Sequence, residues 1–303
     1  MPMPPAAHEE RIVLSSDEWA SRMQTHERRV DGLVRPHLER RRHGEKHPVE
    51  DFLFTYYSHR PAQLRRWHPG AGVALAGDPL HESWPGYVRT DDGVTLDPSY
   101  VHRRIATILW VHDVLETTSS RPAFTGCLGL HEWAMVYRSA DIRHRSWPLR
   151  LGAESTDAVV DAHQIHCTHF DAFRHFTGPA RPRNIVLPTR ERQLAFEQPG
   201  CLHANMDLYK WAYKLSPLIP SELVADAFVL AREIRELDMR ASPYDLSMLG
   251  YEPVAIETAA GRREYTSAQR AFSEQAAKLR RRLLAAIAPL TAHVAFRDGC
   301  VLP

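Results

Sequence analysis

From residue 15 onward, hydrophobic positions recur every three or four residues over long stretches, the spacing that lays one face of a helix on a core. Leu223, Ala227, Leu230, Ile234 and Leu237 form one such stripe, and Tyr265, Phe272, Ala276, Leu279, Leu283 and Ile287 form another. Tyr100 to Thr117 and Gly129 to Arg138 repeat the pattern. Ser15 stands three residues before Glu18, the spacing of a capping box, so a helix should start there and run past a bend at Pro36 into the basic HLERRRHGEKHP. Pro61 is well placed for the first turn of another helix. Between Gly72 and Pro98 the pattern breaks into short apolar pieces, and Asp92-Gly93 separates two β-capable runs as in a hairpin. Residues 1 to 14 carry neither period and read as a flexible tail. No internal repeat or low-complexity linker divides the rest. The pattern therefore predicts a mainly α fold: a single helical domain over 15–303 with a small β excursion near 72–98.

Composition narrows the function classes. At 44% hydrophobic and 25% charged, 303 residues are enough for a large core. Lys plus Arg number 38 against 37 Asp plus Glu, so the molecule as a whole exerts no pull on nucleic acid or anionic membrane, and any such attraction must be local. One local site is YYSHRPAQLRRWHPG, where Arg60, Arg65 and Arg66 could meet phosphates and Tyr56, Tyr57 and Trp67 could stack; the alternative is arginines lying over a packed helix. Cys127, Cys167, Cys201 and Cys300 lack paired short spacings and are expected to be free thiols in a reducing compartment. With no apolar run of eighteen residues and no signal-peptide order at the start, the expectation is a cytoplasmic protein without a membrane partner.

Four stretches place ionisable groups among aromatics, the lining of a pocket that stacks on a flat group and moves protons: GLHEWAMVYR, HQIHCTHFDAFR, CLHANMDLYKWAYK and LDMRASPYD. In the second, a strand would set His163 and His169 roughly 20 Å apart, whereas a helix would bring His163, His166 and His169 onto one broad face. His203, Asp207, Lys210 and Lys214 follow at four, three and four residues, a polar stripe flanked by Tyr209, Trp211 and Tyr213. It is either an activated carboxylate or an Asp207–Lys210 pair on a wet face. His131 shares a face with Met135 and Arg138, with Glu132 beside it, and can act as acid, base or ligand. Asp238 and Arg240 read as a structural ion pair. Neutral imidazole with carboxylate suits zinc or iron, which makes His131, His163, His169 and His203 the candidate metal ligands.

Taken together, HPVEDFLFTYYSHRPAQLRRWHPG, CLGLHEWAMVYR, HCTHFDAFRHFT, EQPGCLHANMDLYKWAYKLSP and LDMRASPYDL resemble a family of actinobacterial and plant proteins known as 3-methyladenine DNA glycosylases, over most of residues 47 to 260. Within that resemblance, His166 and His175 are not expected to be needed as ligands. It implies a base-excision N-glycosylase with DNA as partner and no cofactor. An alkylated purine would lie against Trp133, Phe173, Tyr209 or Trp211 with Arg138 nearby, and Asp171 or Asp207 would activate water or steady the sugar cation. His131, Glu132 and Lys210 complete the catalytic candidates. The alternative, read from the residues themselves, is an Fe- or Zn-dependent hydrolase or oxidoreductase acting on a small molecule.

Overall fold

A computed structural model describes residues 12–140 and 146–298, with side chains through residue 291. The capping box forms as predicted: the Ser15 hydroxyl accepts from the Glu18 amide, and the Glu18 carboxylate takes the Ser15 amide at 2.8 Å. It opens α1 (Ser16–Arg42), a helix that carries Pro36 in its interior without ending there. Two short helices follow, α2 (Phe52–Tyr56) and α3 (Pro61–Arg65), the latter with Pro61 in its first turn.

The β excursion holds β2 (Val73–Leu75), β3 (Tyr87–Thr90) and β4 (Gly93–Leu96), with β3 and β4 paired as the expected hairpin. Gly93 turns it at φ 123°, and a Cβ there would sit 2.3 Å from the Leu75 carbonyl oxygen, so only glycine fits. The sheet is wider than a hairpin. Ile12–Leu14, read as tail, forms β1 parallel to β2, in the order β1-β2-β4-β3. Three consecutive apolar residues suffice because Leu14 is buried against Trp67 and Leu75. The rest of the expected tail lies outside the described residues.

The remaining chain is helical: α4 (Pro98–Arg103), α5 (Ile105–Ser119), α6 (Leu130–Ala134), α7 (Gly152–Asp161), α8 (Phe170–Phe173), α9 (Gln193–Phe196), α10 (Leu202–Met206), α11 (Leu208–Leu215), α12 (Ser221–Arg240) and α13 (Ala259–Asp298). The fold is thus mainly α, as the periodicity predicts. Both apolar stripes face the core, with Phe272 half-buried and the other named residues buried. The stretch from Tyr100 divides at Arg104, and the helix from Gly129 closes after Ala134, leaving Arg138 at φ 48°. Residues 163 to 169 are neither helix nor regular strand. They run between α7 and α8, tied down by Asn184, whose side chain accepts from the Cys167 amide at 2.7 Å and donates to its carbonyl at 2.8 Å.

Among the described residues, no helix is long and apolar enough to cross a membrane. Cys127, Cys167 and Cys201 are buried free thiols, and Cys300 lies outside the described residues.

Around α1 and α3, His26, His59 and His81 are buried and His68 is half-buried. His26 and His81 donate from Nε2 to the carbonyls of Leu64 and Trp67 at 2.9 and 2.8 Å, and His59 stacks on Tyr213. Burial pushes all four toward the neutral form, His59 to about 4 and His68 to about 3. The unfolded chain takes up these protons near pH 6.5 and the folded chain does not, so their contribution is complete above that pH and is lost as pH falls toward 4. Urea melts should therefore show stability dropping between pH 7 and 4.5. His59→Phe should remove about 2 kcal/mol of that drop; an acid dependence identical to that of the parent would contradict this.

Candidate functional site

The polar stretches converge at the centre of the molecule. One face of α12 carries Arg235 and Asp238 one turn apart, both fully buried. Asp238 Oδ1 lies 2.7 Å from His131 Nε2 and Oδ2 lies 2.9 Å from Arg235 Nη1, which also reaches Glu132 Oε1 at 2.8 Å. The guanidinium carbon stands 3.8 Å from the ring centre of Phe52, so α2 covers the pair.

A second assembly mirrors the first. Asp207, at the junction of α10 and α11, accepts from the Tyr57 hydroxyl at 2.8 Å, from Lys210 Nζ at 2.9 Å and from His169 Nε2 at 3.3 Å. Lys210 also reaches Asp171 Oδ2 at 3.1 Å. Each assembly is a His–Asp pair clamped by a cation that a second carboxylate holds. His203 stands between them, its ring centre 4.4 Å from that of His131 and 5.2 Å from that of His169. Its ring makes no hydrogen bond among the described residues, and Nε2 stands 4.0 Å from Asp238 Oδ2. His203, Glu132, Arg235, Asp171 and Tyr56 line a cavity of about 280 Å³.

Burial opposes charge on each of these groups, and the neighbours decide the outcome. Against burial, Asp238 holds His131 protonated, while its histidine and arginine neighbours hold Asp238 well below the usual carboxylate range. Asp207 is likewise driven down, by Lys210 and His169, and Lys210 driven up by Asp207 and Asp171. Burial and the adjacent charge of His131 keep His203 neutral.

The ligand atoms of His131, His203 and Asp238 lie within 4.8 Å of one another, as do those of His169, Glu197 and Asp207. Hydrogen bonding separates the two groups. His169 caps α8, its Nδ1 accepting from the Ala172 amide at 3.3 Å, so its proton sits on Nε2 and is given to Asp207. A metal-bound imidazole does the reverse, donating from its other nitrogen. With Lys210 already on Asp207, the His169 group is closed to a cation. His131 turns Nδ1 to the Cys127 sulfur at 3.5 Å, which leaves Nε2 for an ion that replaces the proton shared with Asp238. His169 is therefore a proton donor beside the candidate centre rather than one of its ligands.

Other expected site residues lie elsewhere. His163 bonds the Val159 carbonyl at 2.8 Å and belongs to neither group. Trp133 is fully buried and donates to the Ala241 carbonyl, Tyr209 packs on Tyr57 and Phe228, and Phe173 packs on Phe176. Trp211 is buried beneath Lys210 and Lys214. None of these four aromatics lines the cavity; Phe52 and Tyr56 do. Arg138 is exposed and pairs with Asp161. The Asp207–Lys210 pair is buried, not wet. Asp238 pairs with Arg235 and His131, whereas Arg240 bonds the Glu252 carbonyl. In the 56–68 stretch Tyr57 and Trp67 are buried and Arg65 is tied to Asp31 and Glu27, so those groups are not offered to a nucleic acid. Arg235 and Glu197 escaped sequence reasoning, while Asp238 and Tyr57 were read in other roles. The usable signal was in α12, where Arg235 and Asp238 stand four residues after the buried Ala231 and Ile234.

Scans against protein-family models, curated proteins and solved structures found no match.

Arg235→Met should cost roughly 3–5 kcal/mol, because it strands Glu132 and Asp238 as buried charges. Adding Glu132→Gln should recover part of that loss in denaturant melts. Strict additivity of the two substitutions would show that they are not coupled.

Proposed function

We propose that this chain is a metal-dependent enzyme acting on a small molecule, with one iron or zinc ion held by His131, His203 and Asp238. The observation that carries the reading is this two-histidine, one-carboxylate set, buried, with its members mutually within ligand reach and His203 on the wall of a cavity. Such a set leaves coordination positions open for water or substrate and serves both hydrolytic zinc and oxidative iron chemistry. The ion would supply a Lewis acid and an activated water or oxygen species. The chain supplies the rest: Arg235 fixes Asp238, Cys127 faces the outer nitrogen of His131, and His169 with Asp207 and Lys210 keeps a proton and a positive charge beside His203.

The second reading is the N-glycosylase that the sequence resemblance implies. In its favour, Asp171 shares the cavity wall with Phe52 and Tyr56, a carboxylate beside aromatic rings. It needs no metal.

Elemental analysis of freshly purified protein should find close to one iron or zinc per chain. His203→Ala, which breaks no hydrogen bond, should lose the metal, and His169→Ala should keep it. Metal-free protein that excises 3-methyladenine from DNA in EDTA would overturn the first reading in favour of the second.

A further inference from the structure

Glu132 is 5% exposed, yet among the described residues its carboxylate accepts a single hydrogen bond, from Arg235 to Oε1. Among the described residues, Oε2 has no partner. A carboxylate can accept about four hydrogen bonds, so an oxygen that only the cavity reaches has room for further donors. Because Glu132 lines the cavity, the missing donor belongs there.

The local balance of charge says what kind of donor. Glu132 and Asp238 share the single guanidinium of Arg235. The other carboxylate of the wall, Asp171, is already served by Lys210 and by the half-exposed Arg174 at 3.2 Å, with Arg190 at 3.9 Å. Among the described residues, Arg235 is therefore the one cation that Glu132 meets, and Arg235 divides its donors with Asp238. The lining also holds Phe52 and Tyr56, whose rings stack at 4.9 Å, and Met135 adds an apolar contact to the wall. Burial first, and then Asp207 and Asp171, push the Tyr56 hydroxyl well up, while Lys210 and Arg174 act the other way. A volume of about 280 Å³ lies near the lower end for ligand sites and calls for a compact occupant.

We propose that the cavity binds a compact, flat organic cation, a primary amine or amidine, whose N–H groups donate to Glu132 Oε2 while its apolar part lies along Tyr56 and Met135. The proposal rests on reading this cavity as the substrate space beside the metal ligands, and it sets the substrate class of that enzyme as a nitrogenous cation rather than a phosphate or carboxylate.

The probe is benzamidine, compared with its neutral and anionic analogues benzamide and benzoate. Calorimetry on the full chain, as purified and after EDTA, should show benzamidine binding at least about tenfold more tightly than either analogue. Glu132→Gln should cancel that preference, and Tyr56→Ala should weaken benzamidine while keeping it ahead. Where Glu132→Gln does not fold, the charge series on the parent protein and the Tyr56 variant decide. Benzoate binding as well as benzamidine, or a folded Glu132→Gln with the preference intact, would overturn the proposal. Metal content of the same samples reports separately on the metal reading: a benzamidine preference without metal leaves the binding site standing, and metal without the preference leaves the metal site alone.

Discussion

Everything at the centre of this molecule depends on opposite charges compensating one another away from water. Arg235, Asp238, Glu132 and His131 on one side, and Lys210, Asp207 and Asp171 on the other, are mostly or wholly buried, and no member could stay ionised there alone. Replacing them with apolar side chains would serve packing as well or better, so stability does not explain them. What they achieve is placement: each clamp fixes a carboxylate against an imidazole, and the two clamps hold His203 without bonding it.

The long helices supply the rigidity this needs. α12 packs against α10, α11 and α13 and contributes Arg235 and Asp238 from a single turn, so their separation is set by helix geometry. Asp207 sits where α10 gives way to α11, which aims its carboxylate at Tyr57 and His169 while Lys210 folds back one turn. The short helices α2, α6 and α8 close the space over this frame and bring Phe52, Glu132 and His169 to it.

The fold was legible because period 3.6 is a local property: Leu223 to Leu237 and Tyr265 to Ile287 announce buried helices with no knowledge of their partners. β1 was not, since three apolar residues become a strand only against Leu75 and Trp67, far along the chain. At the site, His131, His203, Asp207 and Glu132 stood out as polar residues amid aromatics. Their division into two assemblies did not, because it depends on which proton each imidazole carries, and for His169 a backbone amide decides that. Trp133 and Tyr209 misled for a simple reason: in sequence, a large aromatic that fills the core looks the same as one that lines a cavity. Asp238 was assigned to Arg240 by proximity along the chain, while the helix turns it toward Arg235 and His131.

Of two similar buried groups, one is proposed to take a metal ion and the other to exclude it. Anomalous scattering from crystals grown with iron or zinc tests this most directly. One peak is expected, roughly 2.0–2.2 Å from nitrogens of His131 and His203 and from a carboxylate oxygen of Asp238. A peak among His169, Glu197 and Asp207, or no peak at either group, would contradict it.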